Sequence, residues 1–277
     1  MGIGGNKRKL TIDEIKKIEF DILYKFSAFC EDNDLTYMLC GGTLLGAVRH
    51  AGFIPWDDDI DVLMPRPDYE KLLNGVNLEY NSLGPSIEMW HWKNGKLNYP
   101  FIKFVDNRTC LKGKYIRKDM DVGKVWIDVF PLDGNPSDIR KTKELYKKVK
   151  IYRRLLMLKL AKSGEGKTLL KKILKPIAIF ILKPVSAEWL CRKIDELSKT
   201  CDYGEAAYAG GILWGYGTCE RMEKVHYERL IKLKFEGDYF NAPEAYDEYL
   251  TNLYGNYWEL PSVRERKMGH SFQAYFE

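Results

Sequence analysis

Residues 39–66 read LCGGTLLGAVRHAGFIPWDDDIDVLMPR, and this stretch decides the fold. The β-prone run TYMLC ends at a Gly-Gly pair, and Thr43 is a suitable N-cap for a helix over 43–50. The run DIDVLM at 59–64 predicts a strand, which is ended by the Pro-Arg-Pro sequence after it. A strand, a glycine turn, a helix and a second strand are therefore expected in close succession.

Four aspartates occupy five positions where this second strand begins: Asp57, Asp58, Asp59 and Asp61. Side chains alternate along a strand, so Asp57, Asp59 and Asp61 are expected on one face, with Asp58 on the other in a structural role. Like charges this close repel one another, and burial beside apolar residues strengthens the repulsion. A divalent cation with oxygen ligands, Mg²⁺ or Mn²⁺, is therefore predicted as their partner. A solvated acidic loop is the alternative.

The turn formed by Gly41, Gly42 and Thr43 is predicted to bind substrate phosphate. Paired glycines let backbone N–H groups approach a ligand closely, and the helix that follows directs its positive end at an anion. No Gly-Lys-Ser/Thr follows the glycines, so the turn is not a P-loop. A phosphate-binding turn beside a metal site is what phosphoryl-type transfer requires.

A third carboxylate, Asp128, lies among apolar residues in a predicted strand over 124–130. An unpaired carboxylate in that position is costly, so either a bound cation or a nearby lysine or arginine is expected beside it. Asp133 follows a few residues later and is interpreted as a turn residue.

Four basic residues are candidates for binding substrate phosphates: Arg49, His50, Arg66 and Lys103. An ion-pair or surface role is the alternative for each of them, since surface salt bridges are common. Lys103 is the strongest candidate, because a lysine in a central strand needs a partner.

The rest of the chain mixes helical and strand patterns. Thr11 and Glu14 form a capping-box pattern for a helix over about 11–33. Asn94-Gly95 predicts a hairpin with a two-residue turn, and a helix is expected near 243–255. These patterns predict an α+β fold with an α/β-like core, in which helices flank a mixed sheet.

Positive charge is concentrated in one helical segment. Residues 138–193 hold 17 Lys plus Arg against 4 Asp plus Glu, whereas the remainder holds 27 against 35. Two interpretations stay open: an interfacial element on anionic lipid, or a helical subdomain packed on the body with solvated lysines. The chain divides into a catalytic core (1–137), a basic helical subdomain (138–200) and a C-terminal part that completes the catalytic domain (201–277).

The six cysteines lie far apart and form no Cys-x-x-Cys pair. This spacing argues against a zinc site and against a disulfide framework. The first ten residues lack the apolar core of a secretory signal, and no run reaches the roughly 20 apolar residues of a spanning helix. A cytoplasmic protein is predicted, in contact with the inner face of the plasma membrane if the basic segment binds lipid.

The motifs GGTLLGAVRHAGFIPWDDDIDVLMPR and WIDVFPLDGNP closely resemble the LicD family of phosphotransferases, within the nucleotidyltransferase superfamily. The similarity is strong over roughly residues 11–135. It continues weakly in YLTNLYGNYWELP and at Arg264 and His270. The resemblance implies a nucleotidyltransferase-like sheet, with the metal carboxylates at Asp59 and Asp61.

The resemblance also assigns the remaining parts of the site. Asp57 is a further metal ligand, and Asp128 is the third carboxylate, either as a metal ligand or as the acceptor of a hydroxyl proton. Asp59, Asp61 and Asp128 are thus the predicted catalytic residues. Well-known members transfer phosphocholine from CDP-choline to a sugar of a bacterial surface glycan, such as a teichoic acid or lipooligosaccharide. The resemblance therefore implies a metal-dependent transferase that takes CDP-choline or a related CDP-alcohol, acts on a glycan that is lipid-linked or free, and releases CMP.

Two other functions compete with this one. A nucleotidyltransferase that uses an NTP and releases pyrophosphate would need the same site. A non-enzymatic nucleic-acid-binding module is suggested only by the basic segment, which lacks the interleaved aromatic residues of a stacking surface, so no nucleic acid is expected.

Overall fold

The fold is described from a computed structural model of the 277-residue chain. The structure describes residues 8–75, 78–113, 123–161, 176–262, 264–266 and 272–277. The main helices are α1 (Ile12–Asp32), α2 (Gly41–His50), α3 (Arg66–Asn74), α4 (Ile139–Leu160), α5 (Ala187–Ser198), α6 (Lys224–Glu228) and α7 (Tyr246–Tyr254). The strands are β1 (Arg8–Lys9), β2 (Met38–Leu39), β3 (Asp61–Pro65), β4 (Ile87–Trp90), β5 (Ile102–Asp106), β6 (Thr109–Gly113), β7 (Val125–Asn135), β8 (Tyr208–Gly210), β9 (Met222–Glu223), β10 (Leu230–Phe235), β11 (Asp238–Pro243) and β12 (Phe272–Phe276).

A mixed sheet forms the centre of the molecule, with strands in the order β2-β3-β7-β5-β4. β3 and β7 run parallel, whereas the other neighbours along this path are antiparallel. In this register Asp61 lies opposite Asp128, and Asp128 lies opposite Lys103. Three charged residues that are far apart in sequence thus form one row across the sheet. The predicted α+β fold with a mixed sheet is confirmed.

Helix α1 covers one face of this sheet, as its sequence pattern predicts. The capping box is formed, because Thr11 accepts a hydrogen bond from the backbone N–H of Glu14 and the Glu14 carboxylate accepts one from the Thr11 backbone. The buried side chains include Ile22, Phe26 and Phe29, which share one helical face. Phe26 and Phe29 both contact the ring of Phe104 in β5, so the helix is fixed directly on the central strands.

The glycine turn and the strand after it begin at different residues from those predicted. Helix α2 starts at Gly41, with Cys40 as the N-cap residue, so Thr43 lies inside the first turn. The Thr43 hydroxyl accepts a hydrogen bond of 2.8 Å from the Asp61 N–H and thereby ties the helix to β3. Strand β3 starts at Asp61, so the preceding residues 57–59 lie in a loop.

The predicted hairpin exists, but its connection is longer than the Asn-Gly turn indicates. β4 and β5 pair antiparallel, and residues 91–101 join them. Within the connection a short 3₁₀ helix covers Trp92–Asn94, and Gly95 ends it in the left-handed region at φ 74°. The dipeptide therefore ends a 3₁₀ turn instead of closing a two-residue hairpin.

In its described residues, the basic segment contains the helices α4 and α5, which pack on the body. The buried side chains of α4 include Val149, Leu156 and Leu160, and those of α5 include Leu190 and Ile194; all belong to the main hydrophobic core. Residues 162–175 of this segment lie outside the described residues. Within the described ranges, none of the helices combines the length and apolar composition needed to cross a membrane.

The C-terminal residues return to the body in several elements. β8 pairs with the end of β7, and β12 pairs with β1 and β6 in a small separate sheet. The predicted helix near 243–255 is present as α7, which begins three residues later. It brings the chain back toward α2, where the candidate site lies.

Candidate active site

The clustered aspartates line a cavity of about 740 Å³. Asp57, Asp59 and Asp61 form its acidic side, beside Gly42 and Arg49 of α2. A second wall comes from two distant parts of the chain and consists of Tyr216, Tyr254, Asn256, Tyr257, Glu259, Leu260, Pro261, Ser262 and Glu265. The loop before β3 and the first residue of β3 supply the aspartates, and the C-terminal part of the chain supplies most of the second wall.

The loop aspartates form one cluster. Asp57, Asp58 and Asp59 each place a carboxylate oxygen within 4.8 Å of the others. The prediction that Asp58 points away from its neighbours is therefore wrong. Alternation applies to extended strands, and these three residues lie in the loop before β3. Within the cluster Asp58 is buried, whereas Asp57 and Asp59 are partly exposed and line the cavity.

Asp61 lies where the acidic cluster meets the sheet. Burial raises the pKa of its carboxyl well above the usual value, and the neighbouring Asp59 and Asp128 raise it further, while Lys103 acts in the opposite direction. Among the described residues, the effect of Lys103 does not offset the effects of burial and of the neighbouring aspartates on the pKa of Asp61. Several hard carboxylate oxygens close together are the donor set that suits Mg²⁺ or Mn²⁺. The residues present fit a divalent cation.

Asp128 has a lysine beside it. The Lys103 Nζ lies 2.6 Å from Asp128 Oδ1, and both side chains are largely buried. The same ammonium group lies 3.9 Å from the ring centroid of Trp126. Burial lowers the pKa of Lys103, and the Asp128 carboxylate raises it. Of the two partners that the sequence left open for Asp128, the structure provides the lysine, and neither residue of the pair lines the cavity.

The glycine turn is built into the site, and two of its polar groups have protein partners. The Gly41 N–H donates to the Tyr249 hydroxyl at 3.3 Å, and the Thr43 hydroxyl accepts from Asp61. Only Gly42 of the three lines the cavity. A Cβ atom at Gly42 would lie 2.5 Å from Asp57 Oδ2, so this glycine is needed for the close approach of the loop to α2.

The basic candidates divide into two groups. Arg49 lines the cavity and is held by a 2.7 Å hydrogen bond from its Nη1 to the Tyr257 carbonyl. His50 does not line the cavity. It accepts a hydrogen bond from the Arg49 Nε, and burial together with that cation lowers its pKa. Arg49 is therefore the basic residue placed to meet a ligand.

Arg66 lies in a different part of the molecule. It is buried and forms ion pairs with Asp133, in which its Nε donates at 2.7 Å, and with Asp195 on α5 at 2.9 Å. Asp133 is accordingly part of β7 and not a turn residue, and burial raises its pKa to about 6. The phosphate contact predicted for Arg66 finds no support, because its guanidinium joins the sheet to the helical segment.

Sequence reasoning missed the aromatic and acidic wall of the cavity. Tyr216 and Tyr254 lie with ring centroids 6.2 Å apart, and both face the aspartates. Behind them Glu220 is buried, accepts hydrogen bonds from the Tyr216 N–H and the Tyr249 hydroxyl, and has its pKa raised by burial to about 7. The weak family resemblance in YLTNLYGNYWELP, which includes Tyr254 and Tyr257, was an available signal for part of this wall.

The family model described as "LicD/FKTN/FKRP, nucleotidyltransferase domain" matches residues 34–154. The chain is 32% identical to the lipopolysaccharide cholinephosphotransferase LicD of Haemophilus influenzae, over 97% of this chain and 99% of that protein. It is also 28% identical to the uncharacterized protein RP689 of Rickettsia prowazekii, over 50% of this chain and 46% of that protein.

The chain belongs to the LicD family. The family predicted from the motifs is thereby confirmed, together with the enzyme class, a transferase of phosphate-containing groups. His270, which contributed to the resemblance, lies outside the described residues.

Proposed function

We propose that this protein is a metal-dependent transferase that moves phosphocholine, or a related phospho-alcohol, from a CDP-alcohol to a sugar hydroxyl of a bacterial cell-surface glycan and releases CMP. Its relative from Haemophilus influenzae is named a lipopolysaccharide cholinephosphotransferase, and the two chains align over almost their full lengths. That relationship favours lipopolysaccharide as the type of acceptor.

The observation that carries the proposal is the division of the cavity into two kinds of wall. One wall has the aspartates, and the other has Tyr216, Tyr254 and Tyr257 together with Glu259 and Glu265. A quaternary ammonium group is recognised by aromatic faces, and nearby carboxylates add electrostatic attraction. The aromatic and acidic wall suits a cationic alcohol such as choline, at the end of the molecule farthest from the nucleoside.

In this proposal, the residues that hold the metal ion are Asp57, Asp59 and Asp61, with Asp58 in the same cluster. When bound, Mg²⁺ or Mn²⁺ neutralises the diphosphate of the donor, which makes phosphorus easier to attack and CMP easier to release. Arg49, at the cavity edge, is placed to contact a phosphate oxygen.

Lys103 and Asp128 have a supporting role in the proposal. Their ion pair lies on the two strands beyond Asp61 in the sheet. It therefore influences the electrostatic potential at the aspartates without lining the cavity. Lys103 is held in place by Asp128 and by the Trp126 ring. Asp128 is thus a positioning residue in this account, and its earlier assignment as proton acceptor or metal ligand stays a prediction.

A donor panel tests the proposal and separates it from the nucleotidyltransferase alternative. The purified protein is incubated with Mg²⁺, a lipopolysaccharide acceptor and each of CDP-choline, CDP-ethanolamine, CDP-glycerol and CTP. We expect CMP from CDP-choline and no pyrophosphate from CTP. Pyrophosphate formed from CTP, with no CMP from any CDP-alcohol, would establish the alternative instead.

A further inference from the structure

A second cavity of about 820 Å³ lies beside the carboxylate cavity, and it has the opposite charge. Its cationic lining is supplied by α4, and we call these five residues the basic face: Lys143, Lys147, Lys150, Arg153 and Arg154. No carboxylate side chain of the described residues lines this cavity. Tyr216 lines both cavities and separates them.

The basic face follows from the spacing of its residues along the helix. At about 100° per residue, Lys143, Lys147, Lys150 and Arg154 fall within about 60° of one another. Like charges so arranged repel one another and destabilise a helix slightly. On one side of α4, beside a cavity, they form a region of concentrated positive charge that suits an anion.

Arg153 connects the basic face to the wall of the carboxylate cavity. Its Nη1 donates a 3.0 Å hydrogen bond to the Gly215 carbonyl, and its guanidinium lies 4.5 Å from the ring centroid of Trp214. It also lies near enough to the buried Glu220 for their charges to interact. Arg153 of the basic face therefore holds the loop that carries Tyr216. Since Tyr216 lines both cavities, a ligand in the second cavity would lie beside the carboxylate cavity.

We infer that the basic face binds the acceptor, and that the acceptor is a phosphate-bearing saccharide. This inference rests on the proposed function. A CDP-alcohol with a cationic alcohol suits the acidic and aromatic cavity, whereas several lysines without carboxylates suit an anion with more than one phosphate charge. Binding on the basic face would place the phosphate groups of the saccharide on α4 and leave a nearby sugar hydroxyl to reach past Tyr216.

The test compares two double variants that lose the same net charge. Lys147→Gln/Lys150→Gln removes two lysines of the basic face, and Lys141→Gln/Lys148→Gln removes two exposed lysines from the opposite face of the same helix. The probe is a phosphorylated lipopolysaccharide core oligosaccharide, with the same oligosaccharide after chemical dephosphorylation as its control. Binding is measured by titration calorimetry without donor, so the result does not depend on any transfer.

We expect Lys147→Gln/Lys150→Gln to weaken binding of the phosphorylated oligosaccharide about tenfold, because two charge-assisted contacts are lost. The opposite-face variant should bind it like the wild type, and all three proteins should bind the dephosphorylated form equally weakly. In turnover, the KM for the acceptor should rise while the KM for the CDP-alcohol stays unchanged.

Three results would overturn the inference. One is equal affinity of all three proteins for the phosphorylated oligosaccharide. Another is a rise in the KM for the donor alone, which would place the nucleotide on the basic face. The third comes from a titration of the same proteins with vesicles containing phosphatidylglycerol. A loss of binding confined to these vesicles would make α4 a lipid contact. If no CDP-alcohol is turned over but the binding difference remains, the proposed function fails and the anion site stands.

Discussion

The two cavities on either side of Tyr216 differ in charge and in how the chain builds them. The acidic cavity is assembled from distant parts of the sequence, namely the loop before β3 and the residues after α7. The basic cavity takes all its lysines and arginines from a single helix. Local sequence pattern is therefore enough to form the basic face, whereas the acidic cavity exists only once the whole domain has folded.

A third group of charges, around Arg66, shows what distinguishes a ligand site from a structural ion pair. There one guanidinium contacts Asp133 and Asp195, and all three side chains are buried away from both cavities. Three aspartates line open space in the acidic cavity, and five lysines and arginines do so in the basic cavity. This contrast predicts which substitutions change activity and which change stability.

The largest expected effect comes from the acidic cavity. Asp59→Asn or Asp61→Asn should reduce transfer at least about a thousandfold, because the metal and the diphosphate lose their charge partner. The melting temperature should not fall for Asp61→Asn, since the neutral amide avoids the unfavourable charge at this buried position. CMP release and thermal unfolding measure the two effects. The exposed Asp13→Asn is the control, and near-normal turnover in either site variant would exclude the acidic cavity as the site.

The next effect is on stability and concerns the third charge group. Arg66→Met leaves the buried Asp133 without its cation, while Asp195 keeps its ion pair with Lys199, so urea unfolding should show a loss of about 3–5 kcal/mol. Activity per folded molecule should be retained. Lys71→Met removes an exposed ion pair with Asp68 and should change the free energy of unfolding by less than about 1 kcal/mol. A normal stability combined with a raised KM for the donor would return Arg66 to the phosphate-binding role indicated by the sequence.

Choline recognition should depend on the aromatic wall. Tyr254→Leu removes a ring that faces the aspartates and should raise the KM for CDP-choline about tenfold, whereas Tyr254→Phe keeps the ring and should change it little. CDP-glycerol, which carries no positive charge on its alcohol, serves as the comparison donor. Equal changes for both donors in Tyr254→Leu would mean that the ring does not recognise the cation.

The last effect is on the pH dependence of stability and concerns Glu220, behind the wall shared by the two cavities. Its pKa is about 7 in the folded protein against 4.5 for an ordinary glutamate, because burial disfavours the charged form. The stability it contributes is full below pH 4.5 and is lost as the pH rises through 7. Between pH 5 and pH 8 the melting temperature of the wild type should therefore fall relative to that of Glu220→Gln. Parallel pH profiles for the two proteins would contradict the burial of an ionisable Glu220.

Short-range signals predicted the elements that depend on neighbours in sequence. The capping box and the apolar periodicity placed α1 within a residue at each end, and the Asp-x-Asp pattern identified the loop that lines the cavity. The start of α2 was missed by two residues, since the helix begins at Gly41 with Cys40 as its N-cap residue.

Signals that depend on register or distant packing were not available from the sequence. The partner of Asp128 follows from the alignment of β5 with β7, and the partner of Arg66 follows from the docking of α5. Tyr216 and Tyr254 reach the aspartates only through the fold, from more than 150 residues away. The length of the hairpin connection was mispredicted for a different reason, since Asn-Gly also suits the end of a 3₁₀ turn.

Phosphorus NMR of a single reaction follows the transfer of phosphocholine to the glycan directly. The wild-type protein, Mg²⁺, CDP-choline and a lipopolysaccharide acceptor are followed until the donor is consumed. If the protein transfers phosphocholine, the diphosphate signals should disappear while a phosphodiester on the glycan and CMP appear in equal amounts. With Asp61→Asn the spectrum should stay unchanged. The proposed transfer would be contradicted if CDP-choline stays intact in the wild-type reaction. It would also be contradicted if CDP-choline is hydrolysed to free phosphocholine without modification of the glycan.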